Sequence, residues 1–412
     1  MSRNKMRVWI VNYYTRPDCS NPRYLEFAKH FMSKGWQVTT FYANYMGTAS
    51  DPLFGLEKVN GVDFVAVKAP HYEGNGLKRM YSIWKFAQTI KQHVDEFEHP
   101  DVILHNVHAP FDYPIVKAAK KVKAKYVSEV WDLWPDNFVN FGLVSAKNPA
   151  MKVFYAVERW IYEHADQLVF TIPGALQYLQ DKKWTTNRGG KIDLARVHYI
   201  NNGVDLEQFD HDRDAYPRND AELNRKDVFK IIYMGTINFA NHVQMLIDAA
   251  ALIQDNANYQ FFIYGDGAHR NQLEQYVKDK SIRNVHFKER RIPFCEVAWV
   301  VCQATVNIMT YEKGFGYMGV SSGKMFQYLA AGKPIVCNIN IAYDNVILDN
   351  NLGVAHDIGT AEDLAHAIRN CAEQPEDEYQ AMCERVRHTA ERFDYQILAA
   401  DEIKVIEAAI RN

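Results

Sequence analysis

The sequence predicts an α/β protein of two doubly wound units, each a parallel sheet covered by helices. Short β-rich segments alternate with helical segments along the first half of the chain, and the alternation starts again near residue 230. Between the halves, residues 202–228 are polar and include the run D-H-D-R-D-A-Y-P-R-N-D, which favours a linker. A chain of 412 residues is also long enough to bury two separate cores.

The first half contains apolar, β-branched runs that predict strands and amphipathic stretches that predict helices. One helix is expected over residues 22–34, where Gly35 can end it, and another over residues 82–94. The predicted strands cover residues 8–12, 37–42, 62–67, 101–104, 125–129, 168–171 and 197–200.

The second half repeats the pattern, with helices predicted over residues 243–253 and 271–278. Its predicted strands cover residues 230–234, 260–264, 284–287, 304–309 and 335–337. A final helix over residues 395–410 has no strand after it.

A glycine-rich loop follows the strand at residues 304–309 and leads into S-S-G-K-M-F-Q-Y-L-A-A-G-K-P at residues 321–334. The serine pair can cap a short helix, which Gly332 and Pro334 would end. A helix start presents free N–H groups and the positive end of the helix dipole, an arrangement that suits a diphosphate. The anion-binding candidates are Ser321, Ser322, Gly323 and Lys324. The alternative is an ordinary strand–loop–helix unit in which Lys324 is a solvated surface lysine.

This segment resembles the S-P-N-K-x-F-E-Y-x-A-A-G-K-P of family 4 glycosyltransferases, in the branch that builds bacterial surface polysaccharides. Five further motifs resemble the family in the same order: W-D-L-W-P-D at 131–136, T-I-P-G at 171–174, N-N-G-V-D at 201–205, Y-M-G-T at 233–236 and G-D-G at 265–267. The resemblance implies the GT-B fold, two Rossmann-like domains facing across a cleft. Residues 1–206 would bind the acceptor and residues 207–392 the nucleotide sugar, while the helix within 393–412 would return to the first domain.

The resemblance also implies which residues of the second domain bind the donor. Gly235, Thr236 and Gly265 would approach the nucleotide or its diphosphate, with Arg290 and Arg291 as further cations. Gln327 would contact the ribose through its amide.

The chain departs from the family pattern in two places within this domain. Gly319 and Gln327 stand where relatives usually carry two acids, and the loop after Tyr233 lacks the usual Arg and Lys. Glu312, in E-K-G-F-G, either approaches the sugar or is a solvated loop charge.

In the first domain, Asp132 follows a valine-rich strand between two tryptophans and is a candidate to orient or deprotonate an acceptor hydroxyl. The alternative is a turn aspartate before Pro135. The sugar or acceptor candidates on this domain are Tyr13, His105, His108 and Trp131. His105 and His108 form an H-x-x-H on a loop, which does not match a metal-binding pattern.

The resemblance implies a retaining glycosyltransferase of the hexosyl- or N-acetylhexosaminyl-transferring type, with no metal ion and no other cofactor. The donor would be a nucleoside diphosphate sugar, expected to be a uridine diphosphate sugar, and the acceptor a saccharide or a polyprenyl-linked saccharide. Two alternatives stay open. One is a nucleotide-sugar 2-epimerase, and the other is a non-catalytic sugar-nucleotide-binding subunit that regulates or scaffolds a partner enzyme.

Composition sets the remaining expectations. A net charge of −3 argues against a nucleic-acid-binding protein. The sequence has no long apolar run and begins with no signal-peptide pattern, so a cytoplasmic protein is expected, with six reduced cysteine thiols. The basic, aromatic residues 77–91 predict either a helix lying on an anionic membrane or an ordinary helix buried in the domain.

Overall fold

The computed structural model describes residues 5–18, 22–74, 76–140, 142 and 144–411. The chain divides into two compact units. The first contains Met1–Asn201 together with Tyr395–Asn412, and the second contains Asn202–Asp394.

In the first unit, parallel strands alternate with helices, as the sequence predicts. The strands are β1 (Arg7–Val11), β2 (Gln37–Asn44), β3 (Phe54–Val59), β4 (Val62–Lys68), β5 (Val102–Asn106), β6 (Lys125–Val130), β7 (Gln167–Phe170) and β8 (Val197–Tyr199). The helices are α1 (Arg23–Ser33), α2 (Leu77–Gln92), α3 (Pro114–Val122), α4 (Asp136–Asn140), α5 (Pro149–Glu163) and α6 (Ala175–Asp181).

The first sheet has the strand order β3-β4-β2-β1-β5-β6-β7-β8 and is parallel except for β3. The sequence analysis did not predict β3, which pairs antiparallel with β4 through a tight turn. Asn60 and Gly61 form that turn with φ angles of 52° and 85°. Asn-Gly favours this type of hairpin turn, so the dipeptide was the signal that could have revealed the strand.

The second unit has the same alternation. Its helices are α7 (Leu206–Ala215), α8 (Val243–Leu252), α9 (Arg270–Asp279), α10 (Phe294–Cys302), α11 (Gly323–Ala330), α12 (Val346–Asp349), α13 (Ala361–Ala372) and α14 (Glu376–Ala390). Its strands are β9 (Phe229–Met234), β10 (Tyr259–Tyr264), β11 (Val285–Phe287), β12 (Val306–Met309), β13 (Ile335–Cys337) and β14 (Gly353–Ala355).

The second sheet is parallel, with the order β11-β10-β9-β12-β13-β14. This is the strand order of a Rossmann fold, in which the chain first builds outward in one direction from a central strand and then in the other. The order reverses between β9 and β12. The fold class expected from the sequence, two doubly wound α/β units, is therefore confirmed.

The polar segment at residues 202–228 is more ordered than the sequence predicted, so its assignment as a linker is wrong over ten residues. Helix α7 occupies Leu206–Ala215. It starts where the Asp205 side chain accepts a hydrogen bond from the Gln208 N–H at 2.9 Å, and it buries Phe209. Phe209 is the one buried apolar residue of this helix, so its charged sequence lacks the repeated apolar positions by which an amphipathic helix is recognised.

A last helix, α15 (Tyr395–Arg411), returns to the first unit and packs against α1, as expected. The Tyr395 and Phe27 rings meet edge to face, 6.2 Å apart. Beneath them, the buried Arg23 guanidinium donates to the Glu129 carboxylate and to the Asn201 carbonyl. Helices α1 and α15, from opposite ends of the described chain, therefore share one hydrophobic core.

Among the helices of the described residues, none is both long and apolar enough to cross a bilayer. Of the cysteines, Cys337 and Cys371 are buried in the second unit, and Cys19 lies outside the described residues.

Candidate active site

The candidate site lies at the carboxyl end of the second sheet, where the strand order reverses. Strands β9 and β12 are neighbours there, and each continues into a loop toward a helix. Open parallel sheets bind ligands in the crevice at such a reversal. Gly235 and Thr236 follow β9, Gly265 follows β10, and the loop after β12 leads to α11.

The loops after β9 and β10 touch through their backbones. A Cβ atom added to Gly265 would lie 1.8 Å from the Gly235 carbonyl oxygen, so only glycine fits there. A Cβ atom added to Gly235 would in turn lie 3.3 Å from the Lys324 ammonium. The loop after β10 thus packs on the loop after β9, which in turn lies against Lys324.

Lys324, in the first turn of α11, has only neutral partners within the part of the chain that the structure describes. Its ammonium donates to the Asn241 side-chain oxygen at 2.8 Å and lies 3.4 Å from the Tyr233 hydroxyl. It also lies over the Tyr233 and Tyr311 rings, 4.7 and 5.0 Å from their centroids. Burial lowers the pKa of Lys324 to about 7, because desolvation disfavours the charged form.

The start of α11 is open. Ser322 occupies the N-cap position but makes no side-chain capping bond, so its hydroxyl does not occupy the first N–H groups of the helix. A Cβ atom added to Gly323 would meet nothing within 4 Å. Gly332, with φ 63°, follows the helix end as predicted. The result is an eight-residue helix whose positive end faces unfilled space.

Ser321, just before this helix, is held by Asn202. The Asn202 amide donates to the Ser321 carbonyl at 2.9 Å and to its hydroxyl at 3.0 Å. The backbone N–H of Asn202 contacts the same hydroxyl at 3.2 Å. These contacts fix the loop that leads into α11, the helix that carries Lys324.

Glu312 precedes Lys324 in the sequence, and Gln327 follows it. Gln327 is half-buried, one turn further along α11. Glu312 lies 3.7 Å from the His242 ring nitrogen and lines a cavity of about 280 Å³ with Phe239 and His269. His242 directly follows Asn241, so this cavity adjoins the residue that holds the Lys324 ammonium.

Arg290 and Arg291 follow β11, and they differ in their pairing. The Arg290 guanidinium donates to Asp266 at 2.7 Å and to Asn271 at 2.5 Å. The Gly267 N–H and the Arg290 side chain together hold the pKa of Asp266 below its usual range. Arg291 is exposed.

In the first unit, the strand order reverses between β1 and β5. His108 follows β5, but His105 lies within this strand, so the prediction that places His105 on a loop is wrong: the strand continues two residues beyond its predicted end at residue 104. His105 is buried, with one ring nitrogen 2.7 Å from the Tyr126 hydroxyl and the other 3.3 Å from Asp112. His108 lies 3.5 Å from the same carboxylate, and its backbone N–H donates to it. Burial opposes the ionisation of Asp112, but the two histidines hold its pKa well below the usual range.

Asp132 follows β6 and has a different environment from Asp112. Asp132 is exposed at the surface, and desolvation by the neighbouring protein raises its pKa, although His108 and Arg79 act in the opposite direction. Arg79 donates to the Tyr14 hydroxyl at 2.8 Å, and its guanidinium lies 5.3 Å from the Trp134 ring centroid. A carboxyl group that holds its proton more tightly than usual can exchange it with a hydroxyl.

Tyr13 and Trp131 are both integrated into the packing of the first unit. The Tyr13 hydroxyl lies 2.7 Å from the Ser82 hydroxyl, and its ring stacks on Tyr45 at 5.6 Å. The Trp131 indole N–H donates to Glu129 at 3.1 Å, and its ring stacks on Tyr24 at 5.2 Å.

Sequence reasoning missed Asn241, Tyr233 and Tyr311 as the surroundings of Lys324. Tyr233 stood in the Y-M-G-T motif and Asn202 in N-N-G-V-D, so these motifs carried a signal for both. Asn241 and Tyr311 carried none, since their contacts with Lys324 depend on chain segments that only the folded sheet brings together.

Two protein families match this chain in adjacent segments. The family described as Glycosyltransferase Family 4 matches residues 23–208, and Glycosyl transferases group 1 matches residues 228–374. The second range includes β9, β12 and Lys324, where the strand order of the second sheet reverses.

Two curated relatives are similar to the chain. A probable glycosyltransferase, WbjE of Pseudomonas aeruginosa, is 26% identical over 54% of this chain and 53% of its own length. A putative glycosyltransferase, EpsD of Bacillus subtilis, is 24% identical over 74% of this chain and 75% of its own length. The chain thus spans about half the length of the first relative.

Solved structures share the fold over nearly the whole chain. Anabaena Alr3699/HepE, crystallised with UDP-glucose, is 14% identical with a TM-score of 0.67, covering 98% of this chain and 99% of that one. WaaG, a glycosyltransferase involved in lipopolysaccharide biosynthesis, is 16% identical with a TM-score of 0.67, covering 97% and 99%. The fold is the GT-B fold. With two family matches that together span most of its length, the chain belongs to the group 1 and family 4 glycosyltransferases.

Proposed function

We propose that this glycosyltransferase retains the anomeric configuration and moves a hexosyl or N-acetylhexosaminyl group from a uridine diphosphate sugar. The acceptor is a saccharide or a polyprenyl-linked saccharide in surface polysaccharide or glycan assembly. The UDP-glucose complex of Alr3699/HepE and the role of WaaG in lipopolysaccharide biosynthesis support this assignment.

One observation carries the proposal: Lys324 holds an ammonium at an open helix start with neutral partners alone among the described residues. A cation that is desolvated without a counter-ion gains most from an arriving anion. The diphosphate of the donor supplies that anion, and the first N–H groups of α11 add hydrogen bonds to it.

In the proposed reaction, the bond between the sugar anomeric carbon and the diphosphate oxygen breaks, and the acceptor oxygen bonds to that carbon on the same face. The acceptor proton passes to the departing phosphate oxygen. Lys324, Ser321, Ser322 and Gly323 stabilise the charge that develops on the diphosphate, which is usually the largest electrostatic contribution.

With the diphosphate at Lys324 and the start of α11, the other donor contacts can be assigned. Gly235, Thr236 and Gly265 let the nucleotide approach the backbone closely, and Gln327 reaches the ribose. Arg291 is the better second cation, since Arg290 already pairs with Asp266. Glu312 contacts the sugar from its cavity beside His242.

On the first unit, we assign the acceptor to the strand ends around Asp132. The raised pKa of Asp132 suits a group that orients the acceptor hydroxyl by a hydrogen bond while the proton of that hydroxyl passes to the phosphate. Tyr13, Trp131 and His108 would support the acceptor site from the packing around it, and His105 holds His108 in place through Asp112.

A cytoplasmic location with peripheral contact to an anionic membrane fits a lipid-linked acceptor. In α2, Ile83 and Ile90 face the core, while Leu77 and Tyr81 are 81% and 54% exposed beside the exposed Lys78. Exposed apolar side chains flanked by a lysine suit the interface of an anionic bilayer. Co-sedimentation with vesicles containing phosphatidylglycerol tests this, and a Leu77→Ser/Tyr81→Ser variant should bind them less.

Turnover tests the main proposal. The protein is incubated with UDP-glucose, UDP-galactose, UDP-N-acetylglucosamine or UDP-N-acetylgalactosamine and a bacterial membrane extract, and released UDP is measured. Acceptor-dependent release that disappears in Lys324→Ala supports the transferase. UDP binding without release from any donor would instead indicate the non-catalytic subunit.

A further inference from the structure

A second cavity lies at the amino-terminal edge of the sheet in the second unit, the edge opposite the candidate active site. Its volume is about 770 Å³, within the range of about 300–1,000 Å³ that is usual for ligand pockets. Its walls come from residues just before β9, β10, β12 and β13, such as Asn258, Thr305 and Lys333. No contact of the proposed sugar transfer uses this edge.

Lysines dominate the charge of this cavity. Lys226, Lys230 and Lys333 line it together, and burial and the charges of the other two lysines lower the pKa of Lys230. The Lys230 ammonium is fixed by the Leu223 and Arg225 carbonyls, at 2.8 and 2.9 Å. Ammonium groups that line the same cavity repel one another, and an anionic ligand would relieve that repulsion.

Acidic side chains offset these charges only in part. Among the described residues of the lining, Arg225 and Asp227 pair with each other at 2.6 Å, which leaves Glu376 as the remaining acid. The Glu376 carboxylate accepts a hydrogen bond from Gln380 at 2.8 Å. The cavity therefore keeps an excess of positive charge.

The rest of the lining is rich in amides. Four of its side chains are the amides Asn258, Gln303, Gln374 and Gln380. An amide both donates and accepts hydrogen bonds, so it matches a hydroxyl in either orientation. Tyr379 closes one wall, with its hydroxyl donating to the Thr305 carbonyl at 2.9 Å. Ammonium groups and amides together suit a ligand that carries many hydroxyls and a few negative charges.

We propose that this cavity is a binding site for an acidic oligosaccharide, separate from the active site and on the opposite edge of the same sheet. Its lysines pair with carboxylate or phosphate groups on the sugars, and its amides bond the hydroxyls. The site goes beyond the proposed sugar transfer, because it holds a saccharide without reacting with it.

Isothermal titration calorimetry on the full chain tests the site with trigalacturonate, neutral maltotriose and inorganic phosphate. The test variant is Lys226→Gln/Lys333→Gln. The matched control is Lys278→Gln/Lys280→Gln, which removes the same charge from the exposed end of α9. UDP is titrated into every variant as a measure of folding and of the active site.

We expect trigalacturonate to bind at least about tenfold more tightly than maltotriose or phosphate. The Lys226→Gln/Lys333→Gln variant should weaken this binding about tenfold, while the control variant and UDP binding stay unchanged. No binding at about 10 mM trigalacturonate, equal binding of maltotriose or phosphate, or equal loss in the control would each overturn the proposal. Because UDP reports on the other edge of the sheet, failure here is distinguishable from failure of the proposed transferase.

Discussion

The carboxyl ends of the two sheets differ in how they treat charge. At the reversal point of the first sheet, His105 and His108 both face Asp112, so this carboxylate has two partners within the fold. At the reversal point of the second sheet, Lys324 meets only an amide and tyrosines among the described residues. Asp112 therefore has its ionic partners within the protein, whereas Lys324 has no anionic partner among the described residues. The comparison teaches that the same topology can hold a charge in an internal pair or leave it available for a ligand.

The strongest test of this difference is Lys324→Met, which keeps the packing of the side chain and removes its charge. We expect kcat/KM to fall by about 10²–10³ and UDP binding to be lost, as when one group that stabilises a developing oxyanion is removed. The melting temperature should stay equal or rise, because a desolvated, unpaired ammonium is removed. A lower melting temperature with normal UDP binding would show that Lys324 is structural.

Gly265→Ala tests the backbone contact that brings the strand-end loops together. The added Cβ would lie 1.8 Å from the Gly235 oxygen, so the two loops must separate. We expect a loss of about 2 kcal/mol in the free energy of unfolding and weaker UDP binding, measured by urea denaturation and calorimetry. Gly359→Ala is the matched control, since its Cβ would meet nothing within 4 Å.

The pH dependence of donor binding sharpens the same comparison. With its pKa lowered to about 7, Lys324 is protonated in the free protein below that pH and neutral above it. A bound diphosphate raises the pKa, so donor affinity should fall about tenfold per pH unit above neutrality. In Lys324→Arg, the side chain stays charged and the fall should disappear. The measurement is KM for the donor between about pH 6 and 9.

Asp132→Asn tests whether the carboxyl end of the first sheet takes part in the reaction. We expect kcat to fall about tenfold with an unchanged KM for the donor, because a neutral amide orients the acceptor hydroxyl less well than a carboxylate does. In the wild type, the acid limb of the kcat profile should lie at higher pH than for an ordinary aspartate, since desolvation by the neighbouring protein raises this pKa. An unchanged kcat would show that Asp132 has no part in the reaction and is only a turn residue before Pro135.

The smallest effect is expected for Asn202→Ala, which removes the side-chain contacts to Ser321. Losing hydrogen bonds of this kind costs about 1 kcal/mol, and the loop before α11 should become less fixed. KM for the donor should rise a few-fold while kcat holds. Asn350→Ala, whose amide bonds Val346 at 2.8 Å, is a control of the same type.

Particular elements show what the sequence could predict. Strands such as β9 and β10 are recognisable because buried parallel strands are continuous apolar runs, and the end of α11 because Gly332 and Pro334 punctuate it. Helix α7 escaped because only Phe209 and Asp212 are buried among its charged residues. The neutral surroundings of Lys324 could not be predicted, since Asn241 lies far from it in sequence and meets it only through the sheet.

The position of α15 has a consequence for how the protein is made. This helix covers α1, yet a ribosome produces it only after the entire second unit. The surface of α1 that later contacts α15, including Phe27 and Phe31, therefore stays exposed until the end of translation. During that time chaperones or other nascent chains can bind it. The unit that emerges first is the last to finish folding.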